Sequence, residues 1–213
     1  MTDWPAIWSA IYEQVNAHYR EIAKKRDQVI AFYLVLLAGL VGSWDKLRDY
    51  RESILTFVWL VGIACVWLAI QYWRWHTVHT SCMVVVQRLM SASAAPTIER
   101  CEALWRIVND ERPVTWRTLL PKGAETTILY LLSIMTFIPA YLLGRGTPFL
   151  PVHVASDFVA IALDVIPYSA AIVLLGSLYV RQFHDFNAND WPFRWLRGIT
   201  SDDSSLPRAS TFE

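Results

Sequence analysis

Apolar residues along this chain collect in blocks; they do not alternate with polar ones. Four stretches approach the roughly 20 apolar residues that carry a helix across a hydrocarbon core: Val29 to Trp44, which is the shortest, Ile54 to Tyr72, Thr126 to Gly144, and Phe158 to Val180. The second holds only Gln71 as a strongly polar residue, the third has no charge, and the fourth has one, Asp164. Backbone polar groups in lipid must be satisfied within their own segment, so each stretch is predicted to be a helix. Short loops join the first to the second and the third to the fourth. The predicted fold is therefore an all-α integral membrane protein, with four transmembrane helices as two hairpins (28–73 and 126–181) and amphipathic cytoplasmic helices in the segments 1–27, 74–125 and 182–213.

Outside the spans the apolar positions follow helical stripes. Over 3–27, Asp3 is placed to cap a helix with Pro5 in its first turn, and Trp4, Trp8, Ile11, Val15 and Ile22 fall on one stripe beside Tyr12 and Tyr19. Two readings fit: a helix lying on the anionic inner leaflet and held there by the basic cluster Lys24, Lys25 and Arg26, or one packed against the middle segment or a neighbouring subunit. The second span has no stop signal at its inner end. Its pattern continues through His76, His79, Cys82, Val86 and Leu89 until Pro96, which predicts one helix from about 54 to 92. Thr97 is placed to cap a short helix to about Glu111, with Ile98, Cys101, Trp105 and Val108 on one face and Pro113 after it; Trp116, Leu119 and Leu120 then read as interfacial. In the tail, Asn189 or Asp190 caps a turn holding Trp191, Phe193, Trp195 and Leu196, and 200–213 is expected to be disordered.

Composition agrees with the block pattern: of 213 residues 54% are hydrophobic, including eleven Trp. Charge sums to zero, 19 basic against 19 acidic, so no direct nucleic acid binding is expected. Its distribution is informative. Fifteen of the 19 Lys and Arg fall in 1–27, 74–125 and the tail from Arg181 onward, against Lys46, Arg48, Arg51 and Arg145 in the two short loops. The basic side is cytoplasmic, which places the N- and C-termini inside a bacterial inner membrane. Trp44, Trp73, Trp75, Trp191 and Trp195 sit near the predicted interfaces. The first apolar run follows a charged helix and ends without a small-residue cleavage site, so it is not expected to be a cleaved signal. Cys65, Cys82 and Cys101 form no disulfide framework.

The chain has no phosphate-binding glycine loop, nucleophile elbow, paired catalytic carboxylates or zinc signature, so an enzyme is not expected and no catalytic residue, cofactor or metal is assigned. His76 and His79 are spaced so that a metal could bridge them, but zinc-like further ligands are missing; a solvated or packed face is the other reading. The candidate site is intramembrane. A charge at the bilayer centre costs about 2.5–3.5 kcal/mol on insertion scales, and Asp164 lies inside the fourth span with Asp157 two turns earlier on the same face. Tyr168 and Ala171 share that face, Pro167 frees a backbone carbonyl beside it, and the third span offers Ser133, Thr136 and Pro139. In a structural reading Asp164 is protonated or hydrogen-bonded to a neighbouring helix; in a functional one, Asp164 side chains line a cation pathway in an oligomer. Gly62, Cys65 and Ala69 form a small-residue face that suits self-association.

The juxtamembrane stretch Tyr19-Arg20-Glu21-Ile22-Ala23-Lys24-Lys25-Arg26, leading straight into a helical hairpin with a helical cytoplasmic extension, resembles small transmembrane effectors of bacterial antiphage systems: SLATT-type proteins and the membrane proteins encoded beside retron reverse transcriptases. The resemblance is one of architecture. It implies a membrane effector, held silent by a cytosolic regulatory protein such as a reverse transcriptase or a nucleotide-signalling component, that perturbs or permeabilises the membrane when triggered, in abortive infection. The partners expected are the lipid bilayer, further copies of the chain and that regulatory protein. A membrane anchor or scaffold for a cytosolic partner is the alternative, as is a small ion channel or transporter.

Overall fold

In a computed structural model of the chain, the residues described are 4–92, 97–110, 124–144, 157–182, 185–187, 189 and 193–196. Among them are five α-helices and no strands: α1 (Trp4–Gly42), α2 (Arg51–Ser91), α3 (Ile98–Asp110), α4 (Ala124–Gly144) and α5 (Asp157–Gln182), with 3-10 turns at Arg48–Tyr50 and Phe193–Trp195. No Pro or Gly interrupts the sequence between Pro5 and Gly39, so α1 passes from its amphipathic half into its apolar half as one helix of 39 residues. At the junction Lys25 pairs with Glu21 one turn away at 2.7 Å. α2 likewise runs unbroken for 41 residues. α3 begins where Thr97 was placed as its cap: the Arg100 amide donates to Thr97 Oγ1 at 3.3 Å. The expected ends at Pro113 and the interfacial Trp116, Leu119 and Leu120 lie outside the described residues.

Among the described residues, three helices are long and apolar enough to cross a membrane: Arg51–Ser91, Ala124–Leu143 and Val165–Gln182. This corrects the expected number of four. An 18-residue stretch of α1 ending at Gly42 takes in Lys25, Arg26 and Asp27, so the apolar part of α1 does not reach the same length. At most 39% of the apolar stretch of any of the three is buried within the chain. Large apolar side chains such as Phe57, Trp67, Leu131 and Leu175 are exposed, which is the surface of a membrane-associated protein.

The chain divides into two compact units, Glu21–Thr77 with Val114–Phe183, and Met1–Arg20 with Val78–Pro113 and His184–Glu213. The first is a bundle whose core joins Tyr33 and Leu40 of α1, Leu55, Val58, Val66 and Ile70 of α2, Leu129 and Leu132 of α4, and Val173 of α5. Its helices alternate in direction. Along α1 and α4 contacts advance together, from Arg26 with Glu125 to Tyr33 with Met135; along α2 and α5 they advance from Ile70 with Gly176 to Arg74 with Tyr179. α1 and α2 run oppositely, Lys25 lying beside the same groove as Tyr72 while Tyr33 meets Gly62. The α1–α2 turn is tied by Arg51, whose guanidinium lies 4.7 Å from the Trp44 ring centroid and donates to the Trp44 carbonyl at 3.3 Å.

The second unit has a separate core. Trp8 and Val15 of α1, Cys82, Val85, Val86 and Leu89 of α2, Cys101, Trp105 and Val108 of α3, and Phe193 and Leu196 from the tail are all buried in it. Ring contacts join Trp105 to Phe193 at 6.0 Å and Phe186 to Phe193 at 5.0 Å. Three segments that are far apart in sequence thus share one core. The Trp8 stripe of α1 packs on α2 and α3 here, the second of its two sequence readings.

Candidate functional site

α4 starts with Glu125, and two helices reach it. Arg26 of α1 donates from Nη1 to Glu125 Oε1 at 3.0 Å, and His76 Nδ1 of α2 lies 2.9 Å from the same oxygen. All three side chains are mostly buried, at 16%, 16% and 26% exposure. A second Arg26 nitrogen pairs with Asp27 at 3.1 Å. The basic cluster therefore does not present one face: Arg26 turns into the bundle, Lys25 pairs with Glu21, and Lys24 is exposed. Sequence reasoning missed this cluster because its members lie far apart in the chain. Their shared signal was depth, since each stands at the polar end of an apolar stretch. Glu125→Leu is expected to lower bundle stability by about 2 kcal/mol by removing the acceptor that Arg26 Nη1 and His76 share, and Glu125→Gln by less, since its carbonyl still accepts. Thermal unfolding of both variants in detergent checks the order; a Glu125→Leu protein as stable as the parent contradicts it.

Deeper in the bundle, Pro139 has no N–H for the Met135 carbonyl one turn before it. The Tyr33 hydroxyl donates to that carbonyl at 3.4 Å. Tyr33 reaches α4 across Gly62 of α2: a Cβ there would stand 2.5 Å from Tyr33 Oη, 2.8 Å from its Cζ and 2.9 Å from Thr136 Cγ2. The small face of Gly62, Cys65 and Ala69 is thus filled within the chain, with Cys65 and Ala69 in the core, and is not free for self-association. Between α2 and α5, Gln71 Nε2 donates to the Tyr179 hydroxyl at 2.8 Å.

Asp157 and Asp164 fall within α5, whose described side chains begin at Val165. On the same stripe by helical register, one and two turns beyond Asp164, Tyr168 is 62% exposed and Ala171 is exposed. The Tyr168 ring lies 5.6 Å from that of Phe137 of α4. Facing inward, Ser133 of α4 and Ser169 of α5 are fully buried, and their hydroxyls have no hydrogen-bond partner among the described residues. Such orphaned hydroxyls are polar points within the buried faces of α4 and α5.

The remaining candidates separate. His76 belongs to the bundle and His79 to the second unit, where it is buried with its ring 6.4 Å from that of His18. No group of three or more metal-ligating side chains converges among the described residues. None of the three cysteines is in a disulfide and all are buried, and burial pushes the Cys101 thiol up to about 12. No protein-family model, curated protein or solved structure matches the chain.

Proposed function

We propose that the chain is a four-span protein of a bacterial inner membrane, with both termini cytoplasmic, that self-associates along α5 and permeabilises the membrane when a cytosolic partner acts on its second unit. The fourth crossing is the apolar half of α1. It lies antiparallel beside α2 from Tyr72 down to Leu55 and exposes Phe32, Val35 and Val41, so wherever the apolar part of α2 is in lipid, this part of α1 is too. A short span is accommodated by local thinning and by flanking basic side chains reaching to the interface. Four crossings put 1–27, 74–125 and the tail on one side, in agreement with fifteen of the 19 basic residues.

The observation that carries the permeabilising reading is the exposed stripe of α5 at Tyr168 and Ala171, on which Asp164 falls by register. An acid that falls on such a stripe is best accommodated against the same stripe of other copies, where water and paired carboxyls replace lipid. Inducible membrane permeation also fits the architectural resemblance to antiphage effectors and needs no catalytic residue. Inducing the chain alone in bacteria is expected to collapse the membrane potential and admit an impermeant dye, and Asp164→Asn at equal membrane abundance is expected to do neither. Intact potential on induction of the parent overturns the reading. It would favour an anchor or scaffold for a cytosolic protein, the alternative that the separately cored second unit supports.

A further inference from the structure

A groove of about 390 Å³ opens on the outer side of the α1–α2 pair. Its two ends differ. Lys25, Gln28 and Tyr72 line one, and Phe32, Ala64 and Leu68 continue it. From Tyr72 to Val61 it follows α2 for about 16 Å at 1.5 Å per residue, close to half of the roughly 30 Å hydrocarbon core. With Lys25 at the polar boundary, a groove of this length reaches about mid-bilayer. Lys25 is exposed, and its present partner Glu21 holds it in a surface ion pair with side chains 53% and 55% exposed, an interaction readily exchanged for another anion. That hydrogen bond and the Glu21 charge raise the Lys25 pKa.

We infer that this groove binds one anionic phospholipid of the adjoining leaflet, its phosphate at Lys25 with Gln28 and Tyr72 beside it, and one acyl chain along Phe32, Ala64 and Leu68. An apolar trough one leaflet deep with a cation at its mouth complements a molecule carrying a negative head on a long apolar chain. A soluble anion would leave the trough unfilled, and a zwitterionic lipid would gain less from Lys25. The inference rests on the α1–α2 pair lying in the bilayer.

The test uses the purified full chain in nanodiscs or mild detergent, with phosphatidylglycerol and phosphatidylcholine as probes and bound lipid counted by native mass spectrometry. The parent is expected to retain one phosphatidylglycerol in preference to phosphatidylcholine. Lys25→Gln is expected to weaken phosphatidylglycerol retention about fivefold, the worth of one Lys at an anionic surface, and to leave phosphatidylcholine unchanged. Ala64→Trp, at an exposed position that fills the trough, is expected to lose both. Equal phosphatidylglycerol retention by either variant overturns the inference. So does displacement of the lipid by glycerol 1-phosphate alone, which would make the site a reader of free phosphate. Val35→Cys, 71% exposed and off the groove, reports on the premise separately: a water-soluble maleimide that labels it in nanodiscs shows that the hairpin is outside the bilayer.

Discussion

Gly62→Leu is expected to abolish the folded bundle, and Gly62→Ala to destabilise it by about 1–3 kcal/mol. In an open helix Gly→Ala is stabilising by roughly 0.5–1 kcal/mol, so the sign of the effect is diagnostic. Here the added methyl meets three atoms at 2.5–2.9 Å, two of them on the Tyr33 ring and hydroxyl and one on Thr136. Neither neighbour moves easily: Tyr33 is fully buried and its hydroxyl is engaged at the Met135 carbonyl, while Thr136 donates to the Leu132 carbonyl at 2.8 Å. Tyr33→Leu removes two of the three obstructing atoms and is expected to lessen the cost of Gly62→Ala in the double variant, with the Thr136 contact remaining. Thermal unfolding in detergent gives the three stabilities. A Gly62→Ala protein as stable as the parent would mean that α1, α2 and α4 do not converge at this point.

Trp8→Ala carries the second large effect, in the other core. Trp8 is fully buried among residues of α1, α2, α3 and the tail, and truncation of a buried Trp costs about 3–5 kcal/mol. That is comparable to the whole stability that a small core supplies. The second unit is therefore expected to open, exposing α3 and the tail to protease in inverted membrane vesicles. The bundle core, which contains no residue before Val29, is expected to keep its protection. Trp8→Phe refills part of the volume and is expected to restore most of the resistance. If α3 stays protected in Trp8→Ala, then the α1 stripe does not hold this core together.

These two positions show how far the sequence could be read. Local signals were sufficient for the helices: Thr97 capped α3, the absence of any breaker between Tyr72 and Ser91 made α2 one helix, and the charge-free block after Thr126 made α4. Trp8, Cys101 and Leu196 were each recognisable as members of an apolar stripe, but a stripe does not name its partner, and the joining of three separated segments into one core is a long-range result. The apolar run of α1 reads as a fourth span in the sequence, but it is shorter than those of α2, α4 and α5. Lys25, Arg26 and Asp27 shorten its apolar run, whereas its antiparallel pairing with α2 is a tertiary fact. Gly62 was legible as a close-approach position but was assigned to self-association, since nothing local indicates that Tyr33 fills it. Glu125 was passed over because its partners Arg26 and His76 precede it by many residues, and only their common depth connects them. Asp164 is legible as a lone charge in an apolar block, and the exposure of Tyr168 and Ala171 further along the same stripe is what periodicity could not give.

Everything proposed for the bundle depends on α1 crossing the membrane beside α2. Single cysteines at Glu13, in the amphipathic half of α1, and at Asp45, in the α1–α2 turn, test this in intact cells with an impermeant maleimide; the native Cys65, Cys82 and Cys101 are buried and stay silent. Asp45→Cys is expected to be labelled from outside, and Glu13→Cys only after the membrane is permeabilised. Labelling of both from outside would place α1 wholly on one side of the membrane and contradict the four-span arrangement.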